Sequence, residues 1–174
     1  IYIIMYKNLY LKKGKEESLK RFHPWIFSGA VANIDDGVEE GEIVRVMTSS
    51  GDFIAVGMYQ IGSIAVRVLS FRDVQIDADF WVARLQSAWD MRTAIGLIGR
   101  QNNNMFRLVH GEGDNLPGLI IDCYGDTAVM QAHSVGMHLV KNDICEALVK
   151  VSGGAISSVY YKSETTLPFK ADVD

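Results

Sequence analysis

Residues 106–132, FRLVHGEGDNLPGLIIDCYGDTAVMQA, constrain the fold more than any other part of the chain. Two apolar, β-rich runs, 119–124 and 127–132, are separated only by Gly125 and Asp126, the length and composition of a tight hairpin. A third run, 106–110, precedes them across the turn-rich segment 111–118. Pro117 offers that segment no ladder donor and its glycines accept positive φ, so a shaped loop is expected between strands of an antiparallel meander. Glu112 and Asp114 lie in the loop and Asp122 follows in the next strand. These three carboxylates are candidates for a loop facing a cleft. Turns favour Asp, Asn and Gly in any case, and on chemistry alone a solvated turn is the expectation.

The periodicity differs on either side of this meander. Upstream, residues 42–47, 53–59 and 64–69 alternate or run apolar, broken by Ser49-Ser50-Gly51-Asp52 and Gly62-Ser63. Short strands at that spacing predict a small β-barrel. Residues 15–22 read as a short helix with Leu19 and Phe22 on one side, ended by Pro24, and Trp25 is expected to be buried where it caps the barrel. Asp77 reads as the N-cap of a helix over 78–97 that buries Trp81, Val82, Leu85, Ala88, Trp89 and Ile95. A second helix is predicted over 135–151 from the stripe Met137, Val140, Ile144, Ala147, Leu148 and Val151, with a last strand at 157–162. The expected fold class is α+β. A small barrel over 1–75 is followed by a small α/β domain over 76–174, ordered helix, antiparallel strands, helix, strand, with the join near 73–77.

Charge narrows the choice of partner. The chain has a net charge of −4, yet residues 1–31 hold Lys7, Lys12, Lys13, Lys15, Lys20 and Arg21 against Glu16 and Glu17, a balance of +4. The remaining 11 basic and 19 acidic residues leave −8, so one basic end stands on an acidic body. Lys12, Lys13, Lys15, Lys20 and Arg21 are candidates for neutralising phosphates, and His23 for stacking or phosphate contact, the other reading being a solvated helix face and turn. A hydrophobic content of 48% and a mean hydropathy of +0.09 indicate a well-cored soluble protein, and no apolar run is long enough for a bilayer. Residues 1–5 lack a basic n-region and a cleavage site, so no signal peptide is expected and the cytoplasm is the default location. Cys123 and Cys145 are too few for a disulfide framework and are expected to pack in the core. His133 and His138 have no acidic or thiol partner at ligand spacing, so no metal site is expected.

The order and identity of residues in two motifs carry a resemblance. GEGDNLPGLIIDCYGD resembles a stretch of the large-subunit (23S) ribosomal RNA methyltransferase I family, which are S-adenosylmethionine-dependent cytosine-C5 methyltransferases with an N-terminal PUA domain. The correspondence falls on Gly111, Glu112, Asp114, Leu116, Pro117, Gly118, Asp122, Tyr124 and Gly125. A second match, RFHPWIFSGAV at 21–31, is approached by Lys13-Gly14-Lys15 as in that family, and the resemblance runs from about Tyr6 to about Phe169. It implies a PUA-like RNA-binding domain over 1–75, a bridging domain over 76–174, and ribosomal RNA rather than DNA or membrane as partner. The family's Rossmann-like catalytic domain, which binds S-adenosylmethionine and holds a cysteine beside a proline, has no match here. Gly111-Glu112-Gly113 leads into a strand and not a helix, so it is no cofactor fingerprint, and neither cysteine has a neighbouring proline. The chain alone is therefore expected to bind no cofactor and to be inactive. Two other readings stand beside this one: a stand-alone PUA-type RNA-binding adaptor, and a small α/β ligand-binding or hydrolytic protein using loop 111–118. Nothing in the residues sets an oligomeric state.

Overall fold

A computed structural model describes residues 5–167. The segment 1–5, where no signal peptide is expected, and the end of the family resemblance near Phe169 fall largely or wholly outside the described residues. The chain forms two compact units, Ile1–Gln75 and Ile76–Asp174.

The first unit contains β1 (Lys7–Leu11), α1 (Glu17–Lys20), β2 (Trp25–Phe27), β3 (Val31–Ile34), β4 (Ile43–Met47), β5 (Phe53–Tyr59) and β6 (Ile64–Ser70). They build one six-stranded sheet in the order β2-β6-β5-β4-β1-β3. β1 runs parallel to β4 and antiparallel to β3, and the remaining pairings are antiparallel. Leu9, Leu11, Ile26, Val44, Val46, Ala55, Val66 and Val68 from five strands meet Leu19 of α1 in a single core. A sheet that sends the inward residues of five strands into one cluster is wrapped around its core, as in a small barrel. β4 to β6 are legible as alternating or apolar runs, whereas β1 and β3 are short and show no sustained alternation. Gly57, at the bulge between β5 and β6, allows close strand approach: a Cβ there would meet the Arg67 carbonyl and lie 2.7 Å from Val66 Cγ1.

Two expectations for this unit are corrected. The helix expected over 15–22 is a single turn, because residues 13–16 lie in a turn and the chain leaves α1 at Arg21. Phe22 does not join Leu19 on an apolar side; it is 72% exposed and has φ +62°. Trp25 is half-buried rather than buried, since Ile26 holds the inward position and its neighbours in β2 point outward.

The second unit contains α2 (Ala78–Ala94), β7 (Met105–His110), β8 (Leu119–Tyr124), β9 (Thr127–Ala132), α3 (Val135–Leu139), α4 (Lys141–Val151) and β10 (Ser158–Tyr161). β7, β8 and β9 form the antiparallel meander, and β10 joins β9 in parallel to complete a four-stranded sheet. Gly125, with φ +63°, takes the first position of the two-residue β8–β9 turn, where a Cβ is disfavoured. Asp77 caps α2, its carboxylate accepting from the Phe80 amide at 3.0 Å. α2 packs on α4 and buries Trp81, Leu85 and Ala88. Its last inward position belongs to Arg92, while Ile95, expected inside, is 59% exposed beyond the helix end. The helix expected over 135–151 is two helices, divided at Val140, whose ψ of 13° leaves the helical range. Met137, Ile144, Ala147 and Leu148 are nonetheless buried, as their stripe predicts. Cys123 is fully buried and Cys145 is half-buried.

Candidate nucleic-acid interface

The basic residues singled out in the sequence lie on the loop from β1 to α1, on α1 itself and just after it. Lys12, Lys13, Lys15, Lys20, Arg21 and His23 are all exposed. Two hydrogen bonds tie the loop to the residues that follow β2. The Lys12 amide donates to the Ala30 carbonyl at 2.9 Å, and Lys12 Nζ donates to the Gly29 carbonyl at 3.0 Å. Lys20 pairs with Glu17 one turn earlier at 2.7 Å, a hydrogen bond that raises the lysine pKa, and Arg21 Nε donates to the Glu17 carbonyl at 3.3 Å. Lys13 and Lys15 form no ion pair among the described residues, which leaves both cations available to phosphate.

Beside this loop stands an aromatic row. β2 is an edge strand, and Trp25 and Phe27 lie on the side opposite the inward Ile26. Their rings meet edge to face, with centroids 6.4 Å apart, and His23 lies 6.1 Å from Trp25 and 6.3 Å from Phe27. The Trp25 amide donates to His23 Nδ1 at 3.2 Å, which orients the imidazole and leaves Nε2 as its other polar atom. A groove of about 320 Å³ runs between Lys15 and Ser18 on one side and Trp25, Phe27 and Gly29 on the other. Aromatic faces next to unpaired cations can stack a base while holding its phosphate. Sequence reasoning missed Phe22 and Phe27 as exposed aromatics. The Trp-Ile-Phe alternation carries the signal for Phe27, because an inward Ile26 forces both neighbours out.

A larger recess of about 640 Å³ in the same unit is lined in part by Tyr6, Lys7, Asn8, Asp35, Arg45 and Asp73. Its charged groups are paired, Lys7 with Glu42 and Arg45 with Asp73, and Asp35 accepts from the Asn8 amide, while Arg45 Nε is buried without a partner.

Of the three carboxylates singled out in the second unit, Asp122 lines a recess of about 460 Å³ with Phe106, Arg107 and Tyr124, whereas Asp114 is buried. Asp114 is buried in a two-pronged ion pair with Arg92, with Nη2 to Oδ2 at 2.8 Å, and accepts from the His110 amide at 2.6 Å. Arg92 Nε donates to the Arg107 carbonyl at 3.1 Å. Neither a cleft-facing role nor a solvated turn describes Asp114. Gly111 and Asn115 take positive φ around a short 3-10 turn, and Leu116 inserts fully into the core. Asp122 pairs with Arg107 across the β7–β8 ladder at 2.8 Å, and Glu112 sits in the turn. His138 Nδ1 lies 2.7 Å from Tyr161 Oη, and burial, with Lys141 nearby, lowers its pKa. Among the described residues no group of histidine, cysteine and carboxylate side chains could hold a metal ion. Likewise, no helix there is long and apolar enough to cross a membrane.

A six-stranded sheet curled around one core, with a one-turn helix after its first strand and a basic, aromatic edge, has the form of a PUA-like domain, and the profile of that domain matches residues 9–71. Most of the chain is similar to a part of proteins named ribosomal RNA large subunit methyltransferase I. The protein of that name from Erwinia tasmaniensis is 41% identical over 142 residues, which cover 80% of this chain and 35% of the relative. The one from Tolumonas auensis is 38% identical over 165 residues, covering 94% of this chain and 41% of the relative. The chain thus spans little more than a third of the length of the curated relatives it matches. Among solved structures, a Streptococcus mutans protein provisionally described as a SAM-dependent methyltransferase superposes with a TM-score of 0.77. That match is at 19% identity, covers 91% of this chain and 41% of the other, and speaks to the fold alone.

Proposed function

We propose that this chain is the RNA-binding part of an S-adenosylmethionine-dependent ribosomal RNA methyltransferase, and that it holds ribosomal RNA for a catalytic domain outside its 174 residues. The observation that carries the reading is the pairing of five exposed cations on residues 12–21 with the aromatic row of β2. The relatives' name supplies the chemistry. In the cytosine-C5 methyltransferases that the sequence resembles, a cysteine thiolate adds to the base and the methyl donor occupies the catalytic domain. No residue of this chain is assigned a bond-making role. Its side chains neutralise phosphates and orient the strand, in a protein expected to work in the cytoplasm.

The acidic balance of the whole chain does not oppose this, because charges act within a Debye length of about 8 Å at physiological salt. Changing Lys13, Lys15 and Arg21 together to Ala should weaken binding of a ribosomal RNA hairpin. For every phosphate that goes unneutralised, the slope of log K against log salt should fall by about 0.7–0.9. A triple variant that binds as the parent does at every salt concentration would reduce the basic loop to a solvated surface. The chain alone should neither bind S-adenosylmethionine nor methylate RNA, and micromolar binding by calorimetry would overturn that assignment.

A further inference from the structure

Phe22 occupies a backbone position that suits glycine. The Phe22 amide donates to the Leu19 carbonyl at 2.8 Å and the His23 amide to the Ser18 carbonyl at 3.1 Å. Those two bonds close α1 as a Schellman motif, in which the residue after the C-cap adopts the left-handed conformation and is most often glycine. Here that residue is a phenylalanine at φ +62°. A bulky side chain in that region strains the backbone, and such strain is tolerated where the residue does something else.

The core does not explain the choice. Phe22 is 72% exposed, and its ring meets that of Phe71 edge to face with centroids 5.2 Å apart. Its sequence neighbours are Arg21 and His23, and the exposed Lys13, Lys15 and Lys20 belong to the same turn and helix. An exposed ring on a strained backbone, in a segment rich in cations, is suited to the face of a base whose phosphates those cations hold. A paired base inside an A-form helix offers no free face, whereas an unpaired one does.

We infer that Phe22 stacks on an unpaired nucleobase, so that this interface selects single-stranded or bulged RNA over continuous duplex. The inference rests on the RNA-binding reading above and adds the class of RNA to it. Aromatic stacking of a base changes affinity by roughly tenfold per base on alanine substitution.

The test uses the 174-residue chain and a short single-stranded RNA with one 2-aminopurine, beside the same sequence annealed to its complement. The parent should prefer the single strand and quench the 2-aminopurine. Phe22→Gly, which removes the ring and relieves the backbone, should keep or raise the melting temperature yet lose about tenfold in affinity and most of the quench. Phe22→Trp should restore both. If Phe22→Gly binds and quenches like the parent while the Lys13/Lys15/Arg21 variant is weakened, the stacking assignment falls and RNA binding stands, leaving the ring for a protein contact. If neither variant changes binding, both readings fall. A Phe22→Gly variant that loses thermal stability along with affinity, and is not rescued by Phe22→Trp, would make the ring a cover for Phe71 and overturn the inference.

Discussion

At the scale of single residues, the second unit depends on a charge pair that no periodicity could show. Arg92 and Asp114 lie 22 positions apart and both are buried. Taking away one partner strands the other charge in the core, which costs about 3–5 kcal/mol. Asp114→Asn should therefore lower the denaturation midpoint sharply. The double change Arg92→Met with Asp114→Leu should recover much of the loss, read by urea unfolding. The sequence places Asp114 in a turn-forming loop, and turn chemistry is a sufficient local reason for an aspartate. Its partner appears only when α2 and the loop fold together. Cys123 is the opposite case. Its place on a predicted strand already indicates packing, and burial, reinforced by the Asp122 carboxylate, raises its pKa to about 11. Because the folded state favours the neutral thiol, only about one thousandth of Cys123 is thiolate at pH 8, and the fraction rises as pH climbs toward 11. Cys145, half-buried where Cys123 is fully buried, should take iodoacetamide first. Peptide mass spectrometry of a labelling time course at pH 8 checks the order, and earlier labelling of Cys123 would contradict it.

At the scale of elements, β4, β5, β6, β8, β9 and α2 were legible because each has a long run on one period and a marked boundary. β1 and β3 were not, since each is a short strand without sustained alternation whose identity as strand comes from the partner it meets. The break between α3 and α4 was hidden for a related reason: the inward stripe runs through Val140 even though the backbone does not. At the interface, the cations and His23 could be named from composition and spacing. The outward turn of Phe22 could not, because apolar rings are ordinarily read as core, and that of Trp25 and Phe27 was carried only by their alternation with Ile26. Gly57 gives this scale its test. Methyl-sized additions at a bulge with no room displace the partner strand, and overpacking of this kind costs about 1–3 kcal/mol. Gly57→Ala should lower the thermal midpoint of the first unit, whereas Gly51→Ala, in an open turn with nothing within 4 Å, should cost only the strain of its positive φ. Equal midpoints for Gly57→Ala and the parent would show that β5 and β6 can part at no cost.

At the scale of the whole molecule, we propose that the two compact units fold on separate cores and are joined by the chain between Arg72 and Asp77. Arg72 and Asp73 are exposed there, and Ile76 is the first buried residue of the second unit. Trypsin at low ratio should cut after Arg72 before it cuts within either sheet, giving two fragments that resist further digestion. A single resistant core with no such product would refute separate folding. The RNA-binding reading places its interactions in the first of these fragments, so the isolated piece through Arg72 should retain the salt-dependent binding of the chain.

The place of β1 between β3 and β4 also bears on how the protein is made. Of the described strands of the first unit β1 leaves the ribosome earliest, but its parallel partner β4 ends at Met47 and β6, which completes the wrap, ends at Ser70. The amino-terminal unit therefore cannot close until nearly all of it has emerged, and until then Leu9 and Leu11 are exposed to water. The β8–β9 hairpin of the second unit, whose innermost pair is Tyr124 with Thr127, can form as it appears. The earlier-made of the two units is in this sense the later folder, and β1 is the strand of that unit on which a nascent-chain chaperone has the longest time to act.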